Sequence, residues 1–257
     1  MFKKRGQVTL YIIVGVFIVI GVALFFFLKS SSTEEISEQS STLTDAQLTP
    51  IKERVTKCLE EVSGNAFDYV GKRGGYLTPA NSLEVGGINV AYGLYKDSAD
   101  RYINNLPLLS ILAEQFSMYF DSDKGKAEFK KCINNFKPLD YDVKELSVPK
   151  VSMIITQQGV SINADYKLKV TKSTAEAILT IFATQVQIDI LPVYMLATDI
   201  LNEEYNTHSF DTGAWILQEP RSARLKEIAP IQDNIDKVYY MLISASEDFE
   251  FRMVVQR

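Results

Sequence analysis

The 257-residue chain has one histidine, one tryptophan and two cysteines. So few nitrogen and sulfur donors leave little material for a zinc or iron site, and no metal or other cofactor is expected. No Gly-x-Ser-x-Gly elbow occurs, and any Ser-His-Asp triad would have to use His208, whose neighbours Ser209 and Asp211 lie too close in sequence. A solvated loop histidine is the plain alternative. No Asn-x-Ser/Thr acceptor occurs, so standard N-glycosylation is not expected. Gly71-Lys72-Arg73-Gly74-Gly75 lacks the Gly-Lys-Ser/Thr spacing of a phosphate loop and reads instead as a helix stop followed by a strand start. Excess positive charge is missing too. The net charge is −5, and a nucleic-acid partner, which needs a basic face, is therefore excluded.

Hydrophobic residues make up 46% and charged residues 23%, ordinary values for a chain that buries a core. The charges are unevenly placed. Lys3, Lys4, Arg5 and Lys29 flank one apolar run, and every Asp and Glu lies beyond it. The remaining 23 basic residues against 32 acidic ones leave −9 on residues 30–257. From Val8 to Leu28 run 21 uncharged residues, 16 of them Val, Leu, Ile or Phe. A helix over them would be about 32 Å long, enough for a hydrocarbon core of about 30 Å. The run is longer than a cleaved signal's apolar region and no Ala-x-Ala site follows it, so it is expected to stay as a transmembrane anchor. Three basic residues before the span against one after it predict a cytoplasmic N-terminus and an extracytoplasmic C-terminal part. The lipid bilayer is thus the first expected partner, and the cell membrane the expected location.

Lys3-Lys4-Arg5-Gly6-Gln7 leading directly into an apolar helix resembles the class III signal of archaeal type IV pilin-like proteins. It is also similar to the start of many one-span archaeal surface proteins. The resemblance covers the first 28 residues. It implies a membrane peptidase cutting after Gly6, Gln7 as the mature terminus, and an apolar helix that stays in lipid or enters a filament core. Processed filament subunit and uncut anchor are the two readings it leaves open.

The expected organisation is a basic cytoplasmic segment 1–7, a span 8–28, a flexible linker 29–49 and an extracytoplasmic α+β domain 50–257. A subdivision near Pro138 is left open. Half of residues 30–49 are Ser or Thr, which suits a soft stalk, with a solvated helical extension as its rival. Thr49-Pro50 reads as a helix start, and Ile51, Val55, Cys58, Leu59, Val62, Ala66 and Tyr69 recur at helical spacing up to Gly71. Two short strands are expected at Gly74–Pro79 and Ile88–Tyr95, then helices over Leu106–Phe120 and Lys124–Phe136. Beyond Pro138 the period becomes two. Val151, Met153 and Ile155 alternate before a turn at Gln157-Gln158-Gly159; Val160, Ile162, Ala164, Tyr166, Leu168 and Val170 alternate after it. A third strand ends at Val186, Ile188 and Ile190, a helix follows over Pro192–Tyr205, and Val238–Ser244 with Phe249–Val255 read as a terminal hairpin. The fold class expected is α+β, helices first and an antiparallel sheet after them.

Cys58 and Cys132 each fall on the apolar face of an expected helix. On the oxidising side of a membrane they predict a disulfide, with a pair of buried thiols as the alternative. Three further patterns point toward function. Phe210-Asp211-Thr212-Gly213-Ala214 resembles the catalytic loop of aspartic proteases, in which two Asp share a proton and activate water. Only one such triplet is present, the later apolar strand ending in glycine is missing, and the preceding residues make a poor strand. Asp121-Ser122-Asp123-Lys124-Gly125 starts like a calcium loop, but its glycine comes one residue early and Cys132 stands where a bidentate Glu belongs. Tyr69, Tyr76, Tyr92, Tyr95 and Tyr102 form the third. Of these, Tyr76, Tyr92 and Tyr95 are the candidate contacts for a surface protein or a glycan. The function expected is a single-pass surface protein that binds or assembles and does not catalyse. A pilin-like subunit is the alternative, and a membrane-anchored aspartic-type protease through Asp211 the remote one.

Overall fold

Helix α1, Asp45–Gly71, starts four residues before the expected Thr49-Pro50 signal. The true start is set by Thr44, an extended residue whose backbone N–H donates to Oε1 of Gln47 at 2.9 Å. Pro50 then lies in the second turn, where its missing N–H costs the one helical bond that would have reached the Ala46 carbonyl. Residues 45–49 therefore belong to the helix rather than to the linker, and Leu43 and Leu48 are buried. Ile51, Val55, Cys58, Leu59, Val62, Ala66, Phe67 and Val70 form the buried stripe, spaced by three and four. The helix stops where a side chain no longer fits. A Cβ on Gly71 would stand 2.4 Å from the carbonyl oxygen of Glu250.

The computed structural model describes residues 42–133, 136, 140–211, 224–230, 236–242 and 249–256. The expected membrane span at 8–28 and the processing pair Gly6 and Gln7 lie outside these residues. Among the described residues no helix is long and apolar enough to cross a membrane.

Residues 74–79 do not form the expected strand. Gly74 and Gly75 take φ of +76° and +86°, and Gly75 N donates to Val70 O, so the segment is a turn that closes α1. The first hairpin comes later, as β1 (Ser82–Val85) and β2 (Ile88–Lys96), followed by β3 (Tyr102–Asn104). Helix α2 (Leu109–Tyr119) starts three residues later than expected, and α3 spans Asp123–Ile133, with residues 134 and 135 outside the described residues. Leu106 precedes Pro107 and is pushed out of the helical region.

Strands β4 (Asp142–Glu145), β5 (Lys150–Thr156), β6 (Gly159–Lys172) and β7 (Ala175–Val186) make one antiparallel sheet. Strand β6 is its spine: β4 and β5 share one edge of it and β7 runs along the other. The alternation read from the sequence holds, with Val160, Ile162, Ala164, Tyr166, Leu168 and Val170 all buried. Strand β7 ends at Val186, and Ile190 opens helix α4 (Ile190–Thr207) instead of closing a strand. Pro192 falls in its first turn, where it is tolerated. Strands β8 (Arg224–Pro230), β9 (Asp236–Leu242) and β10 (Glu250–Gln256) complete the described elements. The expected hairpin is present: β9 and β10 pair antiparallel, Glu250 opposite Leu242. Its turn lies outside the described residues.

The second sheet runs β1-β2-β10-β9-β8, with β3 also on β2. It is mixed, because β10 joins β2 in parallel. The α+β class is therefore as expected, but the order is not helices and then sheet. Strand β2, from early in the chain, pairs with β10, the last described strand, so the elements between them in sequence are enclosed by one sheet. Parallel pairing of distant segments leaves no local periodic mark, which is why it was not legible. One hydrophobic cluster joins α1, α2, α3, α4 and both sheets; Phe129 meets Tyr166 at 5.7 Å, across the candidate boundary near Pro138. Residues 41–257 form one compact unit.

Candidate functional site

Cys58 on α1 and Cys132 on α3 form a disulfide, with Cα atoms 5.7 Å apart. Cys58 is fully buried, and Arg54 Nη2 donates to the Cys132 carbonyl at 2.7 Å, so the bridge is fastened on both sides. Beside it, Asn65 and Tyr119 both donate to Oε2 of Glu128, at 3.1 and 2.9 Å.

Tyr76 and Tyr92 meet at one polar residue, Asn105, and Tyr95 lies across from Ile103 on β3. The Tyr76 hydroxyl donates to the Asn105 carbonyl at 2.8 Å, and Asn105 Nδ2 donates to the Tyr92 carbonyl at 3.0 Å. Burial, and next Tyr95 nearby, raise the Tyr76 hydroxyl above its ordinary value. The Tyr92 hydroxyl donates to Asp236 Oδ2 at 2.7 Å and is pushed up to about 12, first by burial and then by that bond. Two of the three hydroxyls thus hold the loop after β3 and the strand β9 in place. Tyr69 is occupied as well, with the Arg73 guanidinium 3.5 Å from its ring centre.

Tyr102, one of the five tyrosines of the sequence cluster, belongs to a different aromatic group, at the C-terminal end of α4. Its members come from two elements. Tyr102 on β3 sits directly across from Lys96 on β2, with the Lys96 ammonium 5.1 Å from its ring centre. The His208 ring lies 5.5 Å from the same ring, tilted by 32°, and its Nδ1 is 3.5 Å from the Tyr102 hydroxyl. Tyr205 meets Tyr102 edge to face at 6.0 Å and is 56% exposed. Tyr102 is thereby flanked, and Tyr205 and His208 are the rings turned to solvent. His208 is the exposed residue just after α4, and it caps that helix in the left-handed conformation, φ +56°, its N–H donating to Glu204 O at 3.0 Å. No periodic pattern announces this group, because it joins the end of a helix to a three-residue strand 100 residues earlier.

The group rests on a buried charge. Glu204 is only 2% exposed, and its carboxylate accepts from Lys237 Nζ at 2.5 Å, from the Phe210 N–H at 3.1 Å and from the Tyr239 hydroxyl. Burial pushes this carboxyl up, but the Lys237 and Tyr239 hydrogen bonds outweigh it and hold it below its ordinary value. An ionised carboxylate with three donors fixes the end of α4 and has no proton to give, so it acts as a strut rather than a general acid. Asp211 is exposed just beyond. It follows a helix, whereas the aspartic-protease loop follows a strand; Thr212 and Gly213 lie outside the described residues.

Asp121 and Asp123 belong to the tight corner between α2 and α3. The Ser122 hydroxyl accepts from Gly125 N at 3.1 Å, and a Cβ on Gly125 would stand 2.0 Å from the Tyr119 carbonyl oxygen. Close approach of two helices accounts for that glycine. Among the described residues no three His, Cys, Asp or Glu side chains gather as a metal site. Compared with family models, with curated proteins and with solved structures, the chain matches none.

Proposed function

We propose that the chain is a single-pass membrane protein whose folded part works outside the cell by binding or assembly rather than catalysis. The observation that carries this reading is the Cys58–Cys132 disulfide in the folded domain. Disulfides of this structural kind belong to oxidising compartments, and the positively flanked apolar run 8–28 supplies a route for the domain to reach one. The N-terminal run and the disulfide of the folded domain support the same side of the membrane.

The start of α1 favours the uncut anchor over the filament subunit. A pilin-like subunit carries its apolar helix straight into the head domain. Here Thr42 makes an isolated bridge with Glu176 and Thr44 is extended, so α1 begins afresh at its own cap. Sequencing the mature N-terminus separates the two: an intact Met1 supports the anchor, and a start at Gln7 supports processing after Gly6. Contact with a surface protein or glycan is assigned to the exposed rings of Tyr205 and His208, backed by the half-buried Tyr102 and held on a buried ion pair. Rigid, partly exposed aromatics supply contact area at low entropic cost.

The test of compartment is chemical. Cells are quenched in acid and alkylated with a large maleimide, without reductant. The reading expects no mass shift until a reductant is added first. A shift in unreduced cells would show free thiols and overturn it.

A further inference from the structure

Strand β7 is the outermost strand of its sheet. One edge pairs with β6 along the whole length; among the described residues no strand pairs with the other edge beyond the single bridge from Thr42 at Glu176, and α1 lies against β7, with the Thr184 hydroxyl donating to Oε1 of Glu60 at 2.6 Å. Proteins ordinarily blunt such an edge with charge, proline or shortness. Here Ala177-Ile178-Leu179-Thr180-Ile181-Phe182-Ala183-Thr184 contains no charge, no proline and no glycine. At roughly 3.4 Å per residue, those eight residues offer about 27 Å of unpaired backbone. What such an edge accepts is another extended strand.

The facing pattern says which strand. The register to β6 slips between Asp165 and Leu168, so Thr180 and Ile181 are neighbours that both face solvent. On one side of them Leu179 and Ala177 oppose the inward Leu168 and Val170; on the other, Phe182 and Thr184 oppose the inward Ala164 and Ile162. Reading out from the centre in either direction gives the same sequence of faces: out, in, out, in. The pattern is a palindrome about the bond between Thr180 and Ile181. An antiparallel copy of β7 that sets Thr180 opposite Ile181 keeps every inward side chain inward and every outward one outward. A strand from elsewhere gains nothing from that symmetry. In this register Leu179 meets Phe182, Ile178 meets Ala183, and Glu176, the one charge in the strand, lies across from Gln185 rather than from another acid. The pairing also covers Ile178 and Ile181, which are 62% and 74% exposed.

We propose that β7 is a homotypic edge: two copies of this chain pair β7 with β7, antiparallel over residues 177–184, into one sheet of eight strands. The interface is isologous, so it closes at the dimer and does not propagate into fibres. It does not depend on whether the N-terminal run lies in lipid.

The test uses the purified full-length chain. Because the two native cysteines are bonded to each other, one introduced cysteine is the only free thiol. Ile178→Cys and Ala183→Cys chains are made separately and oxidised alone or mixed. Mixed chains are expected to give a disulfide-linked dimer in several-fold excess over either chain alone. Alone, each thiol would be offset from its own copy by five residues, about 17 Å, beyond disulfide reach. Ile181→Lys, at a solvent-facing position, is expected to lower the mixed yield about tenfold, since each dimer carries the change twice. Light scattering should then show the Ile181→Lys chain at monomer mass and the parent chain at dimer mass. Equal yields from mixed and unmixed chains, or a yield and mass indifferent to Ile181→Lys, would overturn the proposal.

Discussion

Removing the disulfide gives the sharpest magnitude. Cys58 and Cys132 are 74 residues apart, and the bond between them closes a loop that includes β1, β2, β3, α2 and most of α3. In the chain-entropy account a loop of that length stabilises the fold by about 4.5 kcal/mol at 25 °C. For a domain of this size, 1 kcal/mol moves Tm by about 2–4 °C, so Cys58→Ala/Cys132→Ala should lower Tm by about 9–18 °C. Circular dichroism of the full-length chain during heating measures it. Reductant should bring the parent chain toward the variant's Tm and leave the variant unchanged. A drop below about 3 °C would refute the reasoning. It would mean that α1 and α3 stay associated in the unfolded chain, so that the bond restrains nothing.

The buried pair at the end of α4 predicts both a cost and a pH signature. Glu204→Gln leaves Lys237 without its counter-charge and should cost about 3 kcal/mol in urea unfolding. Because the folded carboxyl is held below its ordinary value, its contribution is complete above about pH 4.3 and is lost as pH falls through the folded value; the Glu204→Gln chain should show a flatter decline in stability over that acid range. Gly125→Ala drives a methyl to 2.0 Å from the Tyr119 carbonyl oxygen and should cost about 2–3 kcal/mol, read as a lower urea midpoint with unchanged slope. Tyr205→Ala should leave Tm within about 1 °C, since the ring is more than half exposed, while weakening capture of a surface partner in crosslinked membranes.

What the sequence revealed and what it hid follow one physical division. Periodic burial is written locally, so the stripe of α1, the alternation of β6 and the face of α4 were all legible, as was the burial of Cys58; its partner Cys132 is half-buried. Boundaries depended on finer chemistry. Thr49-Pro50 outweighed Thr44 in the reading because proline is the stronger signal on paper, yet the Gln47 side chain completes the cap at Thr44. Gly74 and Gly75 suggested a bounded strand but supply the positive φ that ends a helix. Long-range pairing was not legible at all. Nothing near β2 predicts that β10 will lie parallel to it, and nothing near Tyr102 predicts His208. Of the tyrosines chosen for their density in sequence, Tyr76 and Tyr92 have hydroxyls held by internal hydrogen bonds, while the group around Tyr102 needed a partner from the far end of α4.

The central claim is topological: an anchor in lipid with the domain from Asp45 onward outside. Protease added to unbroken cells tests it most directly, followed by immunoblotting with antibody against the C-terminal strands. The account predicts that the domain epitope is lost from intact cells while a cytoplasmic marker survives, and that the remaining N-terminal stub resists extraction by carbonate. A domain that stays protected until the cells are lysed, or a chain that carbonate strips from the membrane, would contradict it.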